Sequence, residues 1–124
     1  MKDGVQNILV IEDDPDIGLM LKMMLEYKKY LVTVSERPEF VNEIIQKTHL
    51  DLIIIDMLLS GTNGTDICVD LKQNAATSHL PVIMISAHPN AREACLEAGA
   101  DDFIEKPFEM DILLSKVHDL IESS

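Results

Sequence analysis

At 124 residues, 47% of them hydrophobic, the chain is sized for a single domain over 1–124 with one two-sided core. No apolar run approaches the ~20 residues of a membrane span, and Met1-Lys2-Asp3-Gly4 begins no signal-peptide pattern, so no membrane partner is expected and the expected compartment is the cytoplasm. A formal net charge of −12 would be repelled by a phosphate backbone, which argues against direct nucleic-acid binding.

In chain order, Asn7–Ile11 is an apolar run that reads as a first buried strand, and it ends in the acids Glu12-Asp13-Asp14. Asp14 is placed to cap a helix, with Pro15 in its first turn, and the helix runs to about Tyr27. Ile17, Met20, Leu21, Met24 and Leu25 recur at helical spacing as its core face. Leu19 and Met23 add a second apolar strip, either more core or a surface for a partner. Gly18 inside this helix costs about 1 kcal/mol relative to Ala, for which close packing is the available reason. Tyr30–Val34 reads as a second strand, and Pro38 opens a second helix with Phe40, Val41, Ile44 and Ile45 inward.

Leu52-Ile53-Ile54-Ile55 is a third strand, buried on both faces, and Asp56 closes it. Ser60 to Gly64 is turn chemistry, and a helix follows from Thr65 or Asp66 through Ile67, Cys68 and Leu71. Pro81–Ile85 is a fourth strand ending at Ser86, Asn90–Ala98 a helix stopped by Gly99, Asp102–Ile104 a short fifth strand leading to Lys106-Pro107, and Glu109–Ile121 the last helix. Five strands alternating with five helices make an α/β domain, a parallel sheet covered on both faces through right-handed crossovers. Cys68 and Cys95 fall on helices without metal-ligand spacing and read as reduced thiols; His49, His79, His88 and His118 lie on separate elements with no zinc-like grouping.

The carboxyl ends of such strands converge on one edge, where ligands bind. Glu12 and Asp13 follow the first strand, Asp56 the third, Ser86 the fourth and Lys106 the fifth. Taken alone, Asp56 is either a turn residue or a charge placed for chemistry. Three carboxylates meeting there repel one another, and Mg2+ is the natural counter-charge, with Asp13 and Asp56 as direct ligands and Glu12 reaching through water. A carboxylate beside a cation can act as a nucleophile toward phosphorus, with Mg2+ holding one phosphoryl oxygen, the Lys106 ammonium a second, and the Ser86 hydroxyl with backbone N–H groups a third.

In this ordered set the chain resembles a response-regulator receiver domain. The matching residues are Glu12-Asp13, Asp56, Gly64, Ser86-Ala87, Gly99-Ala100-Asp101-Asp102-Phe103 and Lys106-Pro107-Phe108, with Ser86 and Lys106 standing 30 and 50 positions after Asp56. The resemblance implies a flavodoxin-like fold with strand order 2-1-3-4-5. It implies phosphorylation of Asp56 by a histidine kinase or phosphotransfer protein, Mg2+ dependence, a cation ligand from the Leu58 backbone carbonyl, a cis Lys106-Pro107 bond, and Ser86 and Phe103 as switch positions. Phosphorylation is then expected to draw in the Ser86 hydroxyl, let Phe103 rotate inward, and remodel the face of the fourth helix, fifth strand and fifth helix. A downstream protein or a covalently linked output domain would read that face. The chain would be a phospho-acceptor assisting its own phosphorylation and dephosphorylation, not an enzyme.

Against the family pattern, Ser60 stands where proline is common, Leu58 and His88 occupy variable positions beside the acceptor, and Phe103 replaces a frequent tyrosine. A haloacid-dehalogenase-type phosphatase would want a second Asp where Leu58 stands, and a flavodoxin's FMN phosphate would be repelled by Glu12-Asp13-Asp14. The remaining alternative is a degenerate receiver that binds partners without phosphorylation.

Overall fold

The computed structural model describes residues 4–59 and 61–123. Five parallel strands, β1 (Asn7–Ile11), β2 (Leu31–Ser35), β3 (Leu52–Asp56), β4 (Val82–Ser86) and β5 (Asp102–Glu105), lie in the order β2-β1-β3-β4-β5. The five helices are α1 (Pro15–Tyr27), α2 (Val41–Lys47), α3 (Gly64–Gln73), α4 (Ala91–Glu97) and α5 (Met110–Ser123). This is the order and the flavodoxin-like architecture that the resemblance implies.

Alternation along each strand builds two cores. Leu9, Ile11, Ile53, Ile55, Val82, Met84 and Phe103 pack on the side of α2, α3 and α4, with the buried thiols Cys68 and Cys95. Ile8, Val10, Leu52, Ile54, Ile83, Ile85 and Ile104 pack on the side of α1 and α5. β1, β3 and β4 are covered on both faces, so their runs are continuously apolar; β2 has one neighbour and leaves Leu31 exposed. Among the described residues, no helix is long and apolar enough to cross a membrane.

Several local expectations shift. β2 and α5 begin one residue later than read and extend to Ser35 and Ser123; α4 is a residue shorter at each end. α3 begins at Gly64, because the Asn63 side chain caps it by accepting from the Thr65 N–H. The stretch read only as a turn also contains a two-residue antiparallel ladder, Leu58–Leu59 with Thr62–Asn63, with Gly61 at φ 76° between them. Ser60 lies outside the described residues.

Two inward assignments fail. Phe40 is 45% exposed, because Pro38–Phe40 is a 3-10 turn and the α-helical spacing that includes Val41 does not extend back to it. Met20 is 38% exposed: α1 buries the narrower stripe of Gly18, Leu21 and Leu25, with Ile17 and Met24 half-buried beside it. Leu19 and Met23 are exposed, so the second strip is surface and not core. Gly18 has its packing reason, since a Cβ there would stand 3.0 Å from Val34 Cγ1 of β2.

Candidate functional site

β1 and β3 are hydrogen-bonded neighbours, which brings the residues after β1 beside the end of β3. Carboxylate oxygens of Glu12, Asp13 and Asp56 come within 4.8 Å of one another. Among the described residues this is the one group of three or more acids, histidines or cysteines close enough to hold an ion. α1 starts directly behind it: Asp14 accepts from the backbone N–H groups of Asp16 and Ile17 at 2.9 and 3.3 Å, which spends that carboxylate on the helix cap.

β4 ends beside Asp56, which is in register with Ile85, so Ser86 stands one residue beyond it. The Ser86 hydroxyl oxygen accepts from the His88 N–H at 3.0 Å, and the Ser86 carbonyl accepts from the Lys106 N–H at 2.8 Å. Lys106 follows β5, its bond to Pro107 is cis as expected, and its Nζ lies 3.1 Å from Glu12 Oε1 and 3.2 Å from Asp56 Oδ2. Leu58 donates its N–H to Asp56 Oδ1 over a long 3.4 Å, while its side chain is exposed. The structure thus brings Glu12, Asp13, Asp56 and Lys106 together and sets Ser86 and Leu58 at the border of the cluster.

Electrostatics follow from this crowding. Glu12 is fully buried, and burial together with the Asp56 carboxylate pushes its pKa up from 4.5 to about 7 against the pull of Lys106. Burial by itself would lower the pKa of the Lys106 ammonium, but its bonds to Glu12 and Asp56 outweigh that and raise it. Three carboxylates face one ammonium. An all-oxygen, net-negative donor set at this spacing fits a hard divalent cation such as Mg2+.

Gly64 is the residue whose role only the structure explains. A Cβ there would overlap the Asp56 carbonyl oxygen and stand 3.0 Å from Met57 Cα, and the Gly64 N–H donates to the Met57 carbonyl at 2.7 Å. The loop carrying the central carboxylate is therefore pinned against the start of α3 at a distance no side chain permits. A second feature that sequence reasoning misses is a groove of about 300 Å3 beside Lys106, walled by Ile17, Met20, Ala87, Pro107 and Phe108. Its signal was the width of the apolar arc on α1, wider than one packed helix face can bury.

Phe103, the other switch position that the resemblance implies, is 6% exposed and packed in the core on the α4 side. A phenylalanine has no hydroxyl to hold it at the surface, and burying the ring is favourable.

The model of the response regulator receiver domain matches residues 8–118, nearly the whole chain. This chain belongs to that family. The receiver is 36% identical over 119 residues to the response regulator RppA of Synechocystis, a match that covers 91% of this chain and 49% of RppA. It thus spans about half the length of the curated relatives it matches. Among solved structures, a response regulator of Chloroflexus aurantiacus superposes with a TM-score of 0.91 at 31% identity, covering 96% of the receiver and 99% of that chain. The Thermotoga maritima response regulator TrrA, solved in complex with Mg2+ and beryllofluoride, gives a TM-score of 0.85 at 26% identity, covering 94% and 99%.

Proposed function

We propose that this receiver is a phosphorylation-activated switch whose Asp56 accepts a phosphoryl group from a phosphohistidine on a sensor kinase or phosphotransfer protein. The observation that carries the reading is the convergence of Glu12, Asp13, Asp56 and the Lys106 ammonium at the carboxyl edge of the sheet. In the transfer, a bond forms between an Asp56 carboxylate oxygen and phosphorus while the phosphorus–nitrogen bond breaks, its electron pair returning to the imidazole. Asp13, Asp56, the Leu58 carbonyl and, through water, Glu12 would hold Mg2+, which supplies neutralisation of phosphoryl charge. Lys106, already against Asp56, supports a second phosphoryl oxygen. The Ser86 hydroxyl, which accepts from His88 but has its own proton to donate, serves a third. The chain would assist its own phosphorylation and dephosphorylation without turning over a separate substrate.

The signal then leaves through Ser86. Drawing its hydroxyl toward the phosphoryl group loosens its bond to the His88 N–H and shifts residues 87–90, which lead into α4. The face made by α4, β5 and α5 is the output surface, read by a downstream protein or by a linked output domain in a longer chain. Exposed Met20, which lines the groove beside Lys106, and the exposed Leu19 and Met23 on the same helix suit the phosphodonor's apolar surface. Residues 1–124 act as one receiver domain, in the cytoplasm, and the charge of −12 supports output through protein contacts and not through direct nucleic-acid binding by this domain. The degenerate alternative has no supporting observation, since the acids, the hydroxyl and the lysine are all in place.

Incubation with a small acyl-phosphate donor and Mg2+ is expected to add one alkali-labile phosphate by intact mass, and none to Asp56→Asn. Label persisting on that variant would place the acceptor elsewhere. Ser86→Ala is expected to be phosphorylated yet to lose the amide-exchange changes across 87–97; unchanged exchange would remove Ser86 from the signal path.

A further inference from the structure

A groove of about 410 Å3 runs between α4, β5 and α5. Phe103, Ile104, Pro107, Phe108 and Ile112 line it, and Ile112 is 47% exposed, an apolar anchor point open to a partner. The rim is acidic. Exposed Glu105 and Glu109 border the groove, and exposed Glu93 and Glu97 border the adjoining depression on α4, which shares Pro89 and Arg92 with it. None of the four forms an ion pair among the described residues. The cations on this face are Arg92 and Lys116, and Lys116 is held by both oxygens of Asp102 at 3.0 and 3.1 Å. One uncommitted cation therefore stands against four uncommitted carboxylates.

A twofold dimer through this face would place the patch against itself, doubling an excess of negative charge around the apolar centre. A basic partner would instead gain charge complementarity at the rim while burying Ile112 at the centre. We propose that the groove docks a basic amphipathic segment of the downstream partner, apolar residues inside and Lys or Arg against the glutamates, and not a second copy of this chain. The inference deepens the signalling reading and rests on it for when the groove is engaged.

The test uses the whole chain with Mg2+ and beryllofluoride and three helical peptides: one with a leucine stripe flanked by lysines, a twin with glutamates for the lysines, and a lysine peptide lacking the stripe. The first is expected to bind with amide shifts confined to 89–97 and 103–116, and the other two to bind at least about tenfold more weakly. E93K/E97K/E105K/E109K, all exposed positions outside the phospho-acceptor site, is expected to reverse the preference between the twins. Equal binding of the twins, shifts mapping to another surface, no measurable binding, or a dimer by light scattering whose shifts lie on this face would each overturn the proposal. Fluorine NMR separates the two readings: absence of a bound beryllofluoride resonance counts against Asp56 as acceptor, whereas a bound resonance with failed peptide selectivity counts against the basic partner alone.

Discussion

Two lysines hold carboxylates at opposite ends of the same sheet, with different results. At the amino ends of β4 and β5, Lys72 Nζ lies 2.7 Å from Asp101 Oδ2 and 2.8 Å from the Leu80 carbonyl, and the same Asp101 oxygen accepts the Val82 N–H at 2.8 Å. One cation meets one anion there, the contacts are short, and the network ties α3 to two strands. At the carboxyl ends, Lys106 meets Glu12 and Asp56 at 3.1 and 3.2 Å with Asp13 close by. Three acids crowd together there and two of them contact the one cation, in a more buried setting. A balanced cluster is finished as structure, whereas one with surplus negative charge has capacity left for a cation.

The glycines behind the two clusters offer the sharpest way to break this contrast. Gly64→Ala drives a methyl into the Asp56–Met57 backbone, which cannot yield, and is expected to cost about 3 kcal/mol or more in urea unfolding. Gly99→Ala, at φ 104° against the flexible Lys72 chain, is expected to cost about 1–2 kcal/mol. Equal costs would show that the Asp56 loop is less rigidly seated than its contacts indicate.

Mg2+ comes next in size. Binding to the native state alone stabilises by about 2.7 kcal/mol at roughly 100-fold Kd. Thermal melts in Mg2+ and in EDTA should show this shift, Asp13→Asn should remove most of it, and Asp101→Asn should leave it intact. A midpoint indifferent to tens of millimolar Mg2+ would sink the cation site.

Proton linkage at Glu12 should be somewhat smaller, on the order of 1–3 kcal/mol. Folding raises its pKa from 4.5 to about 7, so the native protein keeps a proton that the unfolded chain releases. The stability due to this group is full below about pH 4.5 and is lost as pH rises through 7. In EDTA, Glu12→Gln should flatten the pH dependence of urea unfolding across that window; an unaltered slope would mean the carboxylate is not held as the geometry indicates.

The smallest effect should fall on the balanced cluster. Lys72→Met is expected to cost about 1 kcal/mol, discounted because Asp101 is 38% exposed, with no change in Mg2+ response or phosphorylation. A loss of phosphorylation in that variant would show that the two ends of the sheet are coupled.

Much of this was legible in one dimension. Apolar runs of four or five residues marked β1, β3 and β4 because strands buried on both faces have no polar alternation, and the charged residues that end them fell on one edge because parallel strands all point the same way. Asp14 with Pro15 announced α1 through local hydrogen bonding that needs no distant partner. The sequence by itself determined the order of elements and which chemical groups stand at the strand ends. Only the tertiary structure decided that Lys106 reaches Glu12 across 94 positions, that Glu12 is sealed from water, that Gly64 must be bare, that Phe103 rests inside, and that Met20 borders a groove. Periodicity and capping are set by neighbours along the chain, whereas burial, ion pairing and close backbone approach depend on segments that meet only after the sheet has assembled.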